Sequence, residues 1–141
     1  MVDEQKPRWE KPRIKAAPKI RQIYWCDFWT DARLPEMWKK RPVIIVSYRN
    51  RLHGPCLVVP TSTLPQDDDP WTYKLTLKID GARDSWVVCN QPSTVAPSRL
   101  SAFPNPIPLV PIADFNAILE LLFKWLPKPF AIENQSPSQP Y

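Results

Sequence analysis

Glycine is nearly missing from this chain: two in 141 residues, where an ordinary protein would carry about 7%. Turns must therefore be made by Pro, Asn, Asp and Ser. Histidine occurs once, as His53, which excludes a two-histidine acid–base pair and leaves little to build a zinc site with. The three cysteines (Cys26, Cys56 and Cys89) are odd in number, form no CxxC and each sit in an apolar run, so they read as reduced, buried thiols. GxSxG, HExxH and P-loop motifs are all missing. No apolar run approaches the roughly 18 residues of a membrane span, and the charged first twenty residues carry no secretory h-region. The expected compartment is the cytoplasm, with no membrane, metal or cofactor involved. What the chain has in excess is proline, nineteen residues, which excludes long helices over most of its length.

The net charge of +5 is unevenly placed. Residues 1–21 hold seven basic and three acidic side chains, whereas the other 120 residues hold twelve and eleven. Residues 1–19 read as a disordered basic arm, 20–130 as the folded domain and 131–141 as a flexible tail.

Strands are expected over Gln22–Trp29, Pro42–Tyr48, Pro55–Thr61 and Ser85–Asn90, which are aromatic or β-branched runs of strand length. Pro60 suggests an edge or a bulge. Trp71–Ile79 alternates apolar with polar residues and reads as a half-buried strand. Asp80-Gly81 marks a turn. One helix is expected from Ile112, with Phe115, Ile118, Leu119, Leu122 and Leu126 on its apolar stripe and Asp114, Glu120 and Lys124 elsewhere. Pro111 suits its start and Pro127 stops it. The fold class is mainly β (α+β): a small, strongly curved, barrel-like sheet with a C-terminal helix packed on it.

From Arg33 to Arg51 there are six basic residues (Arg33, Lys39, Lys40, Arg41, Arg49 and Arg51) and one acid, Glu36, with Trp29 and Trp38 nearby. Cations interleaved with aromatic faces suit single-stranded nucleic acid, although a solvated loop has the same composition. Arg41 precedes Pro42, which biases it to an extended backbone at the mouth of a strand, and its planar fork suits phosphate oxygens. Thr61 ends the next strand, so its hydroxyl could lie beside Arg41 or bond the local backbone. Asp67-Asp68-Asp69 reads as a solvated acidic loop, because consecutive acids on an extended chain point opposite ways.

The order of these features resembles the PemK/MazF family of bacterial toxins. The matching stretches are Ile23-Tyr24-Trp25-Cys26-Asp27; Glu36 followed by Arg41-Pro42-Val43 and a hydrophobic strand; Leu57-Val58-Val59-Pro60-Thr61; Pro70-Trp71-Thr72-Tyr73-Lys74-Leu75; and Asp84-Ser85 through Gln91 and Thr94 to Arg99-Leu100. The family's arginine before that threonine is replaced by Ser93, and Arg21-Gln22 stand where it has a Gly-Asp pair. The resemblance implies an SH3-like, PemK-type fold and a homodimeric, metal-independent endoribonuclease. Such an enzyme cuts single-stranded RNA by attack of the substrate's own 2′-OH, leaving a cyclic phosphate and a 5′-OH, and a cognate antitoxin neutralises it. Carried over, Arg41 and Thr61 are catalytic and Glu36 supports them, while Trp38, Lys39, Lys40, Arg49, Ser62, Gln91 and Thr94 contact RNA. The alternatives are a gyrase-poisoning toxin of the same fold and a degenerate binding protein.

Overall fold

The computed structural model describes residues 6–104 and 106–132. Seven strands and one α-helix follow in order: β1 Ile23–Asp27, β2 Lys40–Ile45, β3 Cys56–Ser62, β4 Thr72–Lys74, β5 Trp86–Val88, β6 Ser93–Val95, β7 Leu100–Ala102 and α1 Ile112–Trp125. All pairings are antiparallel, and the strand order is β4-β5-β3-β2-β1-β7, with β6 also pairing to β3. The mainly β fold with a C-terminal helix is as expected. The strong curvature is not: the sheet is open and only mildly curled.

The continuous β-branched runs are explained by burial on both faces. Successive strand residues point to opposite sides. One apolar cluster takes Tyr24, Cys26, Val43, Ile45 and Val58. The other takes Ile23, Ile44, Val59 and Val87 together with Phe115, Ile118 and Leu122 of α1. The helix thus covers one face near the middle of the strands.

Pro60 lies in a central strand, not on an edge. Residues 56–58 of β3 pair with β6 and residues 61–62 pair with β5, so Pro60 falls at the change of partner, where a missing N–H leaves no gap in either ladder. The alternating segment is corrected more sharply. Only Thr72–Lys74 form a strand. Leu75 still donates its N–H to Ser85, but the next residue is captured by the helix: Thr76 N and Oγ1 donate to Asp114 Oδ2 at 3.0 and 2.7 Å. Tyr73 Oη donates to Asp114 Oδ1 at 2.7 Å. Asp114, expected off the apolar stripe, is 2% exposed, whereas Leu126 is 52% exposed and follows the helix.

The basic arm is corrected for its last residues. Ile14 is buried in the first cluster, Pro18 is buried with its carbonyl accepting from Asn50 Nδ2 at 2.9 Å, and Arg13 pairs with Asp27 at 3.0 Å. Residues 6–11 are exposed and 1–5 lie outside the described residues, as does most of the expected tail, 133–141.

The three free thiols are buried, and burial pushes Cys26 and Cys89 up to about 12 and Cys56 up to about 11. They are therefore expected to resist a chromogenic disulfide reagent in the native protein at pH 8 and to react fully in guanidinium. Rapid native labelling would contradict this packing.

A candidate nucleic-acid groove at the strand ends

The helix stops short of one end of the sheet. Two residues along the strands from the helix-covered Ile23, Ile44 and Val59 lie Trp25, Pro42 and Thr61, on the same face by the two-residue period, and Ser85, just before β5, lies beyond Val87, which pairs with Thr61. These four form the floor of a groove of about 390 Å³. Its walls carry Lys39, Lys40, Arg41 and Arg83 against a single carboxylate, Asp80. Four cations around one acid, in a chain body that is otherwise nearly neutral, give the groove a local excess of positive charge.

Arg41 is fixed by main-chain acceptors. Its Nε donates to the Trp38 carbonyl at 2.9 Å and its Nη1 to the Thr61 carbonyl at 3.4 Å. A guanidinium has five N–H donors, so three have no partner among the described residues. Partial burial lowers its pKa, yet arginine stays protonated across the working range. Thr61 is 2% exposed, and its Oγ1 donates to the Pro42 carbonyl at 2.8 Å, the local backbone bond that its position at a strand end favours. Its lone pairs remain. Ser62 is also buried, and its Oγ accepts from Leu64 N at 3.2 Å.

Of the aromatic side of the groove the sequence singled out Trp38 but not the pair Trp25 and Phe103. Trp25 stacks on Phe103, with ring centroids 4.8 Å apart and planes at 11°. Lys40 Nζ lies 5.6 Å from the Trp25 ring centre. Trp38 is half exposed, with Lys39 Nζ 5.3 Å from its ring centre. Lys39 itself is in the left-handed region at φ 59°.

The structure brings together Trp38, Lys39, Lys40, Arg41, Thr61 and Ser62, and it separates the rest. Glu36 folds back on its own turn, Oε1 accepting from Arg33 N at 2.7 Å. It lines a different cavity with Asp31, Arg33 and Gln91, where two acids face one cation. Gln91 Nε2 donates to the Pro35 carbonyl at 3.1 Å there. Thr94, on β6, lines a third cavity beside Trp9 and His53. Arg49 is exposed in the turn after β2, in the left-handed region at φ 53°, and is not part of the groove. Of the acidic run, Asp69 caps its own turn, accepting from Trp71 N at 2.9 Å.

An open antiparallel sheet with one terminal helix is also the fold of MazF. The MazF of Deinococcus radiodurans superposes with a TM-score of 0.64 at 15% identity, over 78% of this chain and 96% of that one. A mycobacterial endoribonuclease in complex with its cognate antitoxin gives 0.59 at 25% identity, over 80% and 100%. The Mycobacterium tuberculosis toxin MazF-mt6 gives 0.54 at 19%, over 74% and 95%. No curated protein matches the sequence. Residues 19–126 match the PemK-like, MazF-like toxins of type II toxin–antitoxin systems, and the chain belongs to that family.

Proposed function

We propose that this protein is a metal-independent endoribonuclease toxin. On this reading it cuts single-stranded RNA in the Arg41–Thr61 groove, acts in the cytoplasm as a homodimer, and is neutralised by a cognate antitoxin. The observation that carries the reading is an arginine tethered by two backbone carbonyls, with three N–H groups unpaired among the described residues, beside a strand-end hydroxyl in a cationic groove.

The chemistry follows from those groups. Attack of the 2′-OH on the adjacent phosphorus expels the 5′-oxygen of the next nucleotide. The 2′ oxygen loses its proton, the leaving oxygen gains one, and a cyclic phosphate and a 5′-OH result. Charge grows on the non-bridging oxygens, where the free N–H groups of Arg41 stabilise it. With its hydrogen directed at Pro42, the Thr61 oxygen presents lone pairs that accept from the 2′-OH and orient it. DNA has no 2′-OH and is not a substrate. Ile112 and Phe123, exposed on the same side of α1, supply apolar surface of the kind that a second copy covers.

Incubation with single-stranded RNA in EDTA is the test. Fragments ending in a cyclic phosphate and beginning with a 5′-OH are expected, and a single 2′-deoxy substitution at the cut position should block the cut. Intact RNA after incubation with the parent protein sinks the reading. Glu36→Gln separates two roles for that residue. Direct proton transfer would be lost at a factor of about 10²–10⁴. Since Glu36 holds the Arg33 turn and lies outside the Arg41–Thr61 groove, a fall of less than about tenfold is expected in the same assay.

A further inference from the structure

Arg83 is a groove residue that neither the motif comparison nor the chemistry above uses. It stands on the connection between β4 and β5, exposed, and lines the same groove as Arg41 and Thr61. Its position is built by the turn before it. Asp80 Oδ1 accepts the N–H groups of Ala82 and Arg83 at 2.9 and 2.8 Å, and Oδ2 accepts from Arg83 Nε at 2.8 Å. Gly81 takes the left-handed conformation the turn needs, at φ 79°. Those two N–H groups and then the Arg83 guanidinium hold the Asp80 carboxyl well below the usual carboxylate range, so it stays ionised. The Nε edge of the guanidinium is occupied, and its two Nη groups have no hydrogen-bond partner among the described residues.

We infer that Arg83, oriented by Asp80, grips a second phosphate of the same RNA strand, beside the one at Arg41. The inference rests on the reading of the groove as an RNA site. β3, with Thr61, lies between β2 and β5 in the sheet. β5, which the connection carrying Arg83 enters three residues later, lies two strand spacings, about 10 Å, from β2, so the two arginines reach the groove from different sides and serve different phosphates. Arg83 therefore contributes to binding and register, while Arg41 acts on the reacting group. Asp80 is a positioning residue: it uses the Nε edge and turns the two-pronged Nη edge toward the strand.

The test measures binding of a fluorescein-labelled 2′-O-methyl RNA, which keeps the phosphates and cannot be cut, and then KM and kcat on ordinary RNA. Arg83→Ala should weaken binding about tenfold and lower the slope of log affinity against log salt by about 0.7. KM should rise with kcat nearly unchanged. Arg83→Lys, which keeps the charge, should keep most of the salt slope and still lose affinity. Asp80→Asn is the decisive variant. It makes the groove more positive, so charge counting alone would have it bind tighter, whereas positioning requires weaker binding. Arg83→Ala within twofold of the parent, or tighter binding by Asp80→Asn, overturns the inference. Because the labelled RNA cannot be cut, these results stand apart from whether the parent cleaves.

Discussion

Replacing Arg41 with alanine is expected to slow RNA cleavage by about 10²–10³-fold while leaving the fold intact. The side chain is only partly buried and its acceptors are the carbonyls of Trp38 and Thr61 at the groove. Once the guanidinium is gone, water reaches both carbonyls, so little stability is lost. What disappears is a set of N–H donors already aimed where charge develops. Arg41→Lys should recover little, since a single ammonium cannot hold both carbonyls and still offer a fork to phosphate. Single-turnover cleavage beside a thermal melt checks both halves. A variant that melts like the parent and still cuts at a tenth or more of its rate would falsify the catalytic assignment.

The second large effect falls on stability. Asp114→Ala should destabilise the protein by about 2–3 kcal/mol, because it removes three hydrogen bonds to a buried carboxylate, while water can replace them in part at the exposed Thr76 and the half-buried Tyr73 hydroxyl. For a domain of this size that corresponds to a melting temperature lower by roughly 6–12 °C. The carboxylate also gives the effect a pH signature. Burial pushes the Asp114 pKa up, but the bonds from Tyr73 and Thr76 outweigh it and the net shift is downward. A depressed folded-state pKa means the contribution is fully present above the unfolded value of about 3.9 and is lost as pH falls below it. Tyr73 bounds the other side: its hydrogen bond to Asp114, with some desolvation, raises it to about 12. Its contribution is present below about pH 10 and is lost as pH rises through the folded value. Urea melts across pH should show both flanks in the parent and shallower ones in Asp114→Ala, where the remaining acid limb comes from groups such as Asp80 and the remaining alkaline limb from the buried thiols. Identical acid limbs would refute the clamp.

The sequence made some of this plain and concealed the rest for identifiable reasons. The helix was readable because Phe115, Ile118 and Leu122 recur at its period and prolines bracket it. The core strands were readable because runs such as Val43-Ile44-Ile45 have no polar residue to place. The alternation from Trp71 to Ile79 misled, since a two-residue period cannot foresee that a helix carboxylate will take Thr76 out of the ladder. Asp114 misled in the same way: a charged residue off the apolar stripe looks solvated until its three donors are known. β6 and β7, at three residues each, are too short to show a period. At the groove, Arg41 and Thr61 were legible through proline neighbours that fix their strand ends. Glu36 and Gln91 were not, because their placement depends on how two loops fold against each other. Trp25 and Phe103 are 78 positions apart in the sequence and meet only through the pairing of β1 with β7.

The tethering of Arg41 through peptide oxygens has an evolutionary consequence. A main-chain acceptor survives almost any change of the residue that bears it, so substitutions at position 38 need not dislodge the guanidinium. The rim can therefore drift, trading one aromatic or polar group for another, while the guanidinium keeps its posture. On the endoribonuclease reading proposed above, chemistry and selectivity would then be separable, and descendants of one ancestor could acquire new targets without reinventing the cut.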